Sequence, residues 1–281
     1  SKAMNLIRLT REIIFLSLLL RPVVSFLAPA GSVALGCGGK LAKPLCLSSP
    51  QTVDKDKEEV TEYFNNSGFE RWNKIYSESE EVNKVQRDIR DGHAVTIEKV
   101  LKWVDDDGSA KGLTICDAGC GVGSLSIPLA QRGATVEASD ISSAMTAEAE
   151  RRSKEILGND SKNIRFKTSD LESLSGNFHT VCCIDVMIHY PTQKMSDMVD
   201  KLCGMAEQRV ILSFAPDTWY YTLLKKFGSL FPGPSKTTRA YLHREDDVVK
   251  ALEEAGFEVK RTEFTGTNFY FSNLLEATRK Q

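Results

Sequence analysis

The segment Asp117-Ala118-Gly119-Cys120-Gly121-Val122-Gly123 sets three glycines at alternate positions behind an acid, at the point where an apolar run gives way to a helix-forming stretch. Glycines so placed let a backbone loop approach a ligand closely at the crevice of an open α/β sheet. A dinucleotide fingerprint, G-x-G-x-x-G, is not met, because its third glycine position holds Ser124. Three more acids follow at intervals: Asp140, Asp170 and Asp185. Asp140 stands about twenty residues beyond the loop, the spacing at which an acid accepts hydrogen bonds from both hydroxyls of a ribose. Each acid alone could be a helix cap or a turn residue. Three of them at successive strand ends, with the loop, describe a ligand site.

The elements that must carry these residues are legible from periodicity. Leu113–Asp117, Thr135–Ser139, Ile164–Thr168, Thr180–Asp185 and Arg209–Phe214 read as strands. Ser124–Arg132, Ser142–Leu157 with a serine cap, and about Gln193–Ala206 read as helices between them. That alternation implies a parallel sheet with helices on both faces. Phe257–Phe264 and Asn268–Ala277, separated by Thr265-Gly266-Thr267, predict an antiparallel hairpin at one sheet edge. Ahead of the sheet, residues 53–108 read as a helical arm: apolar residues recur at helical spacing, Asn65-Asn66-Ser67-Gly68 makes a break, and a long helix runs from about Asn83 to Val104.

Composition narrows the function. Among 281 residues, 41% are hydrophobic and 26% charged, with 36 Lys+Arg against 38 Asp+Glu, as in an ordinary globular protein. A net charge of -2 supplies no basic field for a phosphate backbone, so nucleic acid is not expected as a partner. Seven cysteines form no C-x-x-C pair, and an odd number suits neither a zinc site nor a disulfide framework. They read as reduced, mostly buried thiols, Cys120 of the loop included. His179 and His243 have no ligand-like neighbours and read as structural, and no metal site is expected.

The D-x-G-x-G-x-G pattern resembles the first motif of S-adenosylmethionine-dependent methyltransferases of the Rossmann-like class. The resemblance implies that Asp117, Gly119, Cys120 and Gly121 border the cofactor, that Asp140 and Ile141 meet the ribose, that Asp170 and Leu171 lie at the adenine, and that Asp185 closes the site. It also implies a mostly parallel seven-stranded sheet, with the C-terminal hairpin and N-terminal arm as additions. A cofactor with a positive sulfonium and no pyrophosphate suits an acid-lined loop.

A narrower resemblance covers roughly Val60 to Ala277. Gly68-Phe69-Glu70-Arg71-Trp72-Asn73-Lys74-Ile75-Tyr76, Val82-Asn83-Lys84-Val85-Gln86, Gly92-His93, Asp185-Val186-Met187-Ile188-His189-Tyr190-Pro191 and Leu230-Phe231-Pro232-Gly233-Pro234-Ser235-Lys236 are similar to the magnesium-protoporphyrin IX O-methyltransferase family of chlorophyll synthesis. The resemblance implies methyl transfer to one propionate of the magnesium porphyrin, with S-adenosylhomocysteine as product and magnesium present only within the substrate. It implies catalytic roles for His189 and Tyr76, and a docking relation with the porphyrin-binding subunit of magnesium chelatase. A propionate is already ionised near neutral pH, so the site needs to orient and enclose rather than to supply a strong base.

Several positions stay open at this stage. The second propionate calls for a cation, with Arg71, Arg87, Arg90, Lys236 and Arg239 as candidates. The axial position of the substrate magnesium could accept His93, His189, Tyr76 or water. The aromatic-rich stretch at about 216–243, with Trp219, Tyr220, Tyr221 and Phe227, reads as an insertion that covers the porphyrin, fills the core or rests on a membrane. Gly68 and Gly92 are candidate hinges for an arm that opens as a lid. A methyltransferase for another plastid metabolite and a non-catalytic subunit of a plastid complex are the competing functions.

Residues 1–52 read as an address. Arg8 and Arg11 precede the apolar run Ile13–Leu20, which is short for a membrane span but suits a secretory signal. Phe26-Leu27-Ala28-Pro29 follows, and no Asp or Glu occurs between Glu12 and Asp54. The pattern resembles the bipartite presequence of nucleus-encoded plastid proteins in algae with secondary plastids. The remaining 109–281 is the expected methyltransferase domain.

Overall fold

Seven strands form one sheet in the order β3-β2-β1-β4-β5-β7-β6. They are β1 (Thr114–Ala118), β2 (Thr135–Asp140), β3 (Ile164–Thr168), β4 (Phe178–Cys183), β5 (Ala206–Phe214), β6 (Phe257–Gly266) and β7 (Phe271–Arg279). β1 to β5 are parallel, while β7 runs antiparallel to both β5 and β6. The computed structural model describes residues 50–76, 82–217 and 241–281, all within one compact unit, Ser48–Gln281. The address at 1–52, apart from its last three residues, and nearly all of the insertion at 216–243 lie outside the described residues.

The near-continuous apolar runs of the central strands follow from burial on both faces. Along each strand, alternate side chains feed opposite cores. Val181, Cys183, Val210, Leu212 and Leu275 join one core with α6 (Thr192–Met205) and α7 (Glu245–Glu254). Ile115, Cys182, Ile211 and Leu274 join the other with α3 (Lys84–Asp106) and α4 (Ser126–Gln131). α5 (Ser143–Leu157) packs along β2 and β3, and Ser142 caps it, its hydroxyl accepting from Met145 N at 3.2 Å. Cys116, Cys120, Cys182, Cys183 and Cys203 are buried free thiols, and burial pushes Cys116 and Cys203 up to about 12.

The arm consists of α1 (Pro50–Asn65), α2 (Ser67–Ile75) and α3. A reciprocal capping box starts α3: Asn83 Oδ1 accepts from Gln86 N at 2.9 Å, and Gln86 Oε1 accepts from Asn83 N at 3.1 Å. The chain breaks between α1 and α2 at Asn66, not at Gly68. Both candidate hinge glycines lie within helices, Gly68 in α2 and Gly92 in α3. Gly92 lies inside an unbroken α3, where an added Cβ would meet the Tyr270 ring at 2.4 Å, so its missing side chain serves close packing. Gly68 likewise faces Tyr63, at 2.6 Å.

Two boundaries shift from expectation for local reasons, and one helix is additional. β4 stops at Cys183 because Asp185 adopts φ +60°, which a strand does not accommodate. The hairpin turn extends to Tyr270 because Asp88 of α3 gathers Thr267 Oγ1 at 2.6 Å and Phe269 N at 2.7 Å. α7, just after the insertion, is absent from the expected elements although Val248, Ala251, Leu252 and Ala255 recur at helical spacing.

Candidate active site

The strand order reverses between β1 and β4, and the glycine loop sits at that switch point. Gly119 N and Cys120 N both donate to Ser139 O, at 2.7 and 2.8 Å, which ties the loop to β2. Gly119 has φ +91° and presses against Val186, where a Cβ would come within 2.1 Å of the valine methyl. Gly121 N donates to Asp140 Oδ2 and Ser142 N to Asp140 Oδ1, each at 2.9 Å. Asp140 therefore braces the loop while lining the cavity, and burial raises its pKa against the opposing pull of those backbone donors.

A cavity of about 270 Å³ opens above this floor. Of the residues expected at the site, Tyr76, Gly119, Cys120, Gly121, Asp140, Ile141, Leu171, Asp185 and His189 line it together. Asp117 and Asp170 do not. Asp117 lies beneath the loop, hydrogen-bonded to Ser126 Oγ, and burial lifts it to about 6. Asp170 caps the short turn Leu171–Ser173, accepting from Ser173 N at 2.9 Å, and pairs with Lys57 of α1 at 3.1 Å. Its neighbours Ser169 and Leu171, rather than its own carboxylate, face the cavity.

The opposite wall is aromatic and comes from the arm. Phe64 lies edge-on to His189 at 5.2 Å, Trp72 stacks on Tyr76 at 5.5 Å, and Tyr76 lies 4.6 Å from the His93 ring. The arm is held down over the crevice by α5. Ser142 Oγ meets Phe64 O and Asn65 Oδ1 at 3.0 and 2.9 Å, and Arg152 donates to Tyr76 O at 2.9 Å and Asn73 Oδ1 at 2.6 Å. Phe269, Tyr270 and Phe271 of the hairpin complete the wall.

Asp185 is the hub between these walls. It accepts from Tyr270 Oη at 2.8 Å and Ser213 Oγ at 3.0 Å, and its Oδ2 lies 2.7 Å from His93 Nδ1. Burial pushes its carboxyl up, but hydrogen bonds from His93, Tyr270 and Ser213 outweigh that and hold it below the ordinary value. His189 follows β4 in the turn Met187–His189, and burial lowers it to about 4, so a neutral imidazole faces the cavity. Tyr76 is raised well above the usual phenol value by burial and by Asp185 and Asp140, and stays a neutral hydroxyl.

Sequence reasoning did not find Tyr270 or the pairing of His93 with Asp185. Contacts across 92 and 85 residues leave no trace in local spacing. Of the cations considered for the second propionate, Arg71, Arg87 and Arg90 do not line the cavity, and Lys236 and Arg239 lie outside the described residues. His243 is buried with Nε2 2.9 Å from Met187 O, and His179 Nδ1 lies 2.9 Å from Thr180 Oγ1. Neither lines the cavity.

The family described as magnesium-protoporphyrin IX methyltransferase C-terminus matches residues 183–279, and a general methyltransferase domain matches 115–208. A chloroplastic magnesium protoporphyrin IX methyltransferase of Arabidopsis thaliana is 57% identical over 82% of this chain and 74% of its own length. A magnesium-protoporphyrin O-methyltransferase of Synechocystis is 53% identical over 80% of this chain and 96% of its own. The crystal structure of magnesium protoporphyrin IX methyltransferase from Synechocystis with bound SAH superposes with a TM-score of 0.75 at 51% identity, covering 80% of this chain and all of that one. With the seven-stranded sheet, the glycine loop and the acid-lined crevice, these likenesses establish that the chain belongs to the magnesium protoporphyrin IX methyltransferase family.

Proposed function

We propose that the chain transfers the methyl group of S-adenosylmethionine to one propionate carboxylate of magnesium protoporphyrin IX, giving the monomethyl ester and S-adenosylhomocysteine, a step of chlorophyll synthesis. The observation that carries this is the meeting of two walls: the acid-braced glycine loop of the sheet, and the aromatic wall of the arm, joined at His189. Asp140 takes the ribose hydroxyls, Ile141 and Leu171 flank the nucleoside, and the loop from Gly119 to Gly121 passes under the amino-acid arm. Trp72 and Tyr76 offer flat apolar surface to the macrocycle.

In the reaction a propionate oxygen attacks the methyl carbon in line, the carbon–sulfur bond breaks, and its electron pair stays on sulfur. No proton moves, so the site needs no general base. Neutral His189 and neutral Tyr76 orient the carboxylate by hydrogen bonds, and the arm excludes water. Magnesium enters only as part of the substrate.

The test is incubation of the purified chain with methyl-labelled S-adenosylmethionine and magnesium protoporphyrin IX. A labelled monoester that requires both is the expected product. Cofactor binding without product would move the acceptor to another metabolite, and binding of neither would leave a non-catalytic subunit.

Residues 1–52 act, in this reading, as a bipartite plastid address, and a fluorescent fusion to that segment tests it. Among the described residues no helix is long and apolar enough to cross a membrane. Contact with a thylakoid or envelope surface would be peripheral, and co-sedimentation with plastid-lipid vesicles checks it. Docking to the porphyrin-binding chelatase subunit would deliver the substrate directly, which a pull-down between the two purified proteins tests.

A further inference from the structure

S-adenosylmethionine carries an α-carboxylate, and that charge needs a partner. Among the described residues that line the cavity none is Lys or Arg, whereas Asp140 and Asp185 both are acids. Two histidines, His93 and His189, line it as well. His93 stands out by its geometry. It is 9% exposed, its Nδ1 lies 2.7 Å from Asp185 Oδ2, and its Nε2 is buried with no hydrogen-bond partner. Among the described residues, Trp72 Nε1 and Ser139 Oγ are the other orphaned polar atoms of cavity-lining residues, but an indole and a hydroxyl are neutral groups. An unpartnered buried polar atom costs free energy unless a ligand completes it.

Position agrees with charge. Asp140 ends β2 and Asp185 follows β4, with β1 between them. Two strand spacings amount to roughly 10 Å, a span that the cofactor's arm from ribose to carboxylate can cover. We infer that His93, oriented by Asp185, donates its Nε2–H to the α-carboxylate of S-adenosylmethionine and is the site's anchor for the amino-acid end of the cofactor. The inference rests on the cofactor reading above. Asp185 then acts through His93: it fixes the ring and balances the charge, as a carboxylate orients a histidine that must present its other nitrogen to a ligand. The Tyr76 ring lies 4.6 Å from that of His93, tilted at 48° to it.

The test compares S-adenosylmethionine with its decarboxylated analogue by calorimetry, in wild type, His93→Ala and His93→Gln. A charge-assisted hydrogen bond implies that wild type prefers the carboxylate-bearing cofactor by roughly 10- to 100-fold. His93→Ala should erase that preference while binding the decarboxylated analogue as wild type does. His93→Gln, which keeps an N–H donor, should retain part of it and serves as the readout if the alanine variant does not fold. An undiminished preference in both variants overturns the inference, as does a wild type that binds the two compounds equally. So does a shift of the absorption band of bound magnesium porphyrin in His93→Ala with the preference intact, since that would place Nε2 on the substrate's magnesium. A wild type that binds neither compound overturns the cofactor reading itself, and the anchor with it.

Discussion

Asp140 and His189 are both half-buried cavity-lining residues whose substitution should nevertheless have opposite signatures. Asp140 holds Gly121 N and Ser142 N as well as facing the ribose position, so Asp140→Ala should weaken S-adenosylhomocysteine binding by roughly 10-fold or more, from the loss of charge-assisted hydrogen bonds. His189→Ala should leave that affinity within about two-fold and lower kcat by roughly 10²-fold, as loss of an orienting group does. Titration calorimetry and single-turnover kinetics separate the two, and equal cofactor affinities in both variants would contradict the assignment. His189 also carries a pH signature. Its folded pKa, about 4, lies below the ordinary 6.5, so the unfolded chain binds more protons between those values and stability falls as pH drops through that window. The group should contribute a loss of roughly 3 kcal/mol between pH 6.5 and 4, absent in His189→Gln, as urea unfolding of both proteins at each pH will show.

At the scale of elements, the site depends on how closely α3 approaches the β6–β7 hairpin. Gly92 permits the approach and Asp88 gathers the turn, and together they deliver Tyr270 to Asp185. Gly92→Ala should force the Tyr270 ring aside and cost roughly 1–3 kcal/mol of stability, the range of overpacking changes. It should also lower turnover, because the hydroxyl leaves Asp185. Thermal unfolding and kcat measured on the same preparation check both, and an alanine variant with wild-type melting and activity would show that the ring has room. Ser142 has a double duty that spacing did not reveal. It caps α5, as expected for a serine ahead of a helical run, and its hydroxyl also receives the end of α1. The cap was legible because it is local; the contact to the arm, 78 residues away, was not.

Across the whole molecule, a cluster of charges at the far end of the sheet joins the arm to the C-terminal strands. Arg209 of β5 and Arg261 of β6 both pair with Glu276 of β7 and with Asp107 just after α3, Arg209 reaching Asp107 at 2.9 Å and Arg261 reaching Glu276 at 3.0 Å. Arg209 and Glu276 are 6% and 2% exposed. Glu276→Ala would strand a buried guanidinium, and a loss of roughly 3–5 kcal/mol in denaturant unfolding is expected. A loss below about 1 kcal/mol would mean that Asp107 alone satisfies Arg209. Sequence alone determined what repeats locally. The strand order, the helices other than α7, the serine cap of α5 and the glycine loop follow from periodicity and from residue types suited to one backbone conformation. Tertiary structure decided which acids line the cavity. Asp117 and Asp170 look equivalent to Asp140 in sequence, yet one is turned under the loop toward Ser126 and the other is claimed by a turn and by Lys57. It also decided the partners of Asp185, because a hydrogen-bonded hub built from α3, β5 and the hairpin exists only once distant segments are packed together.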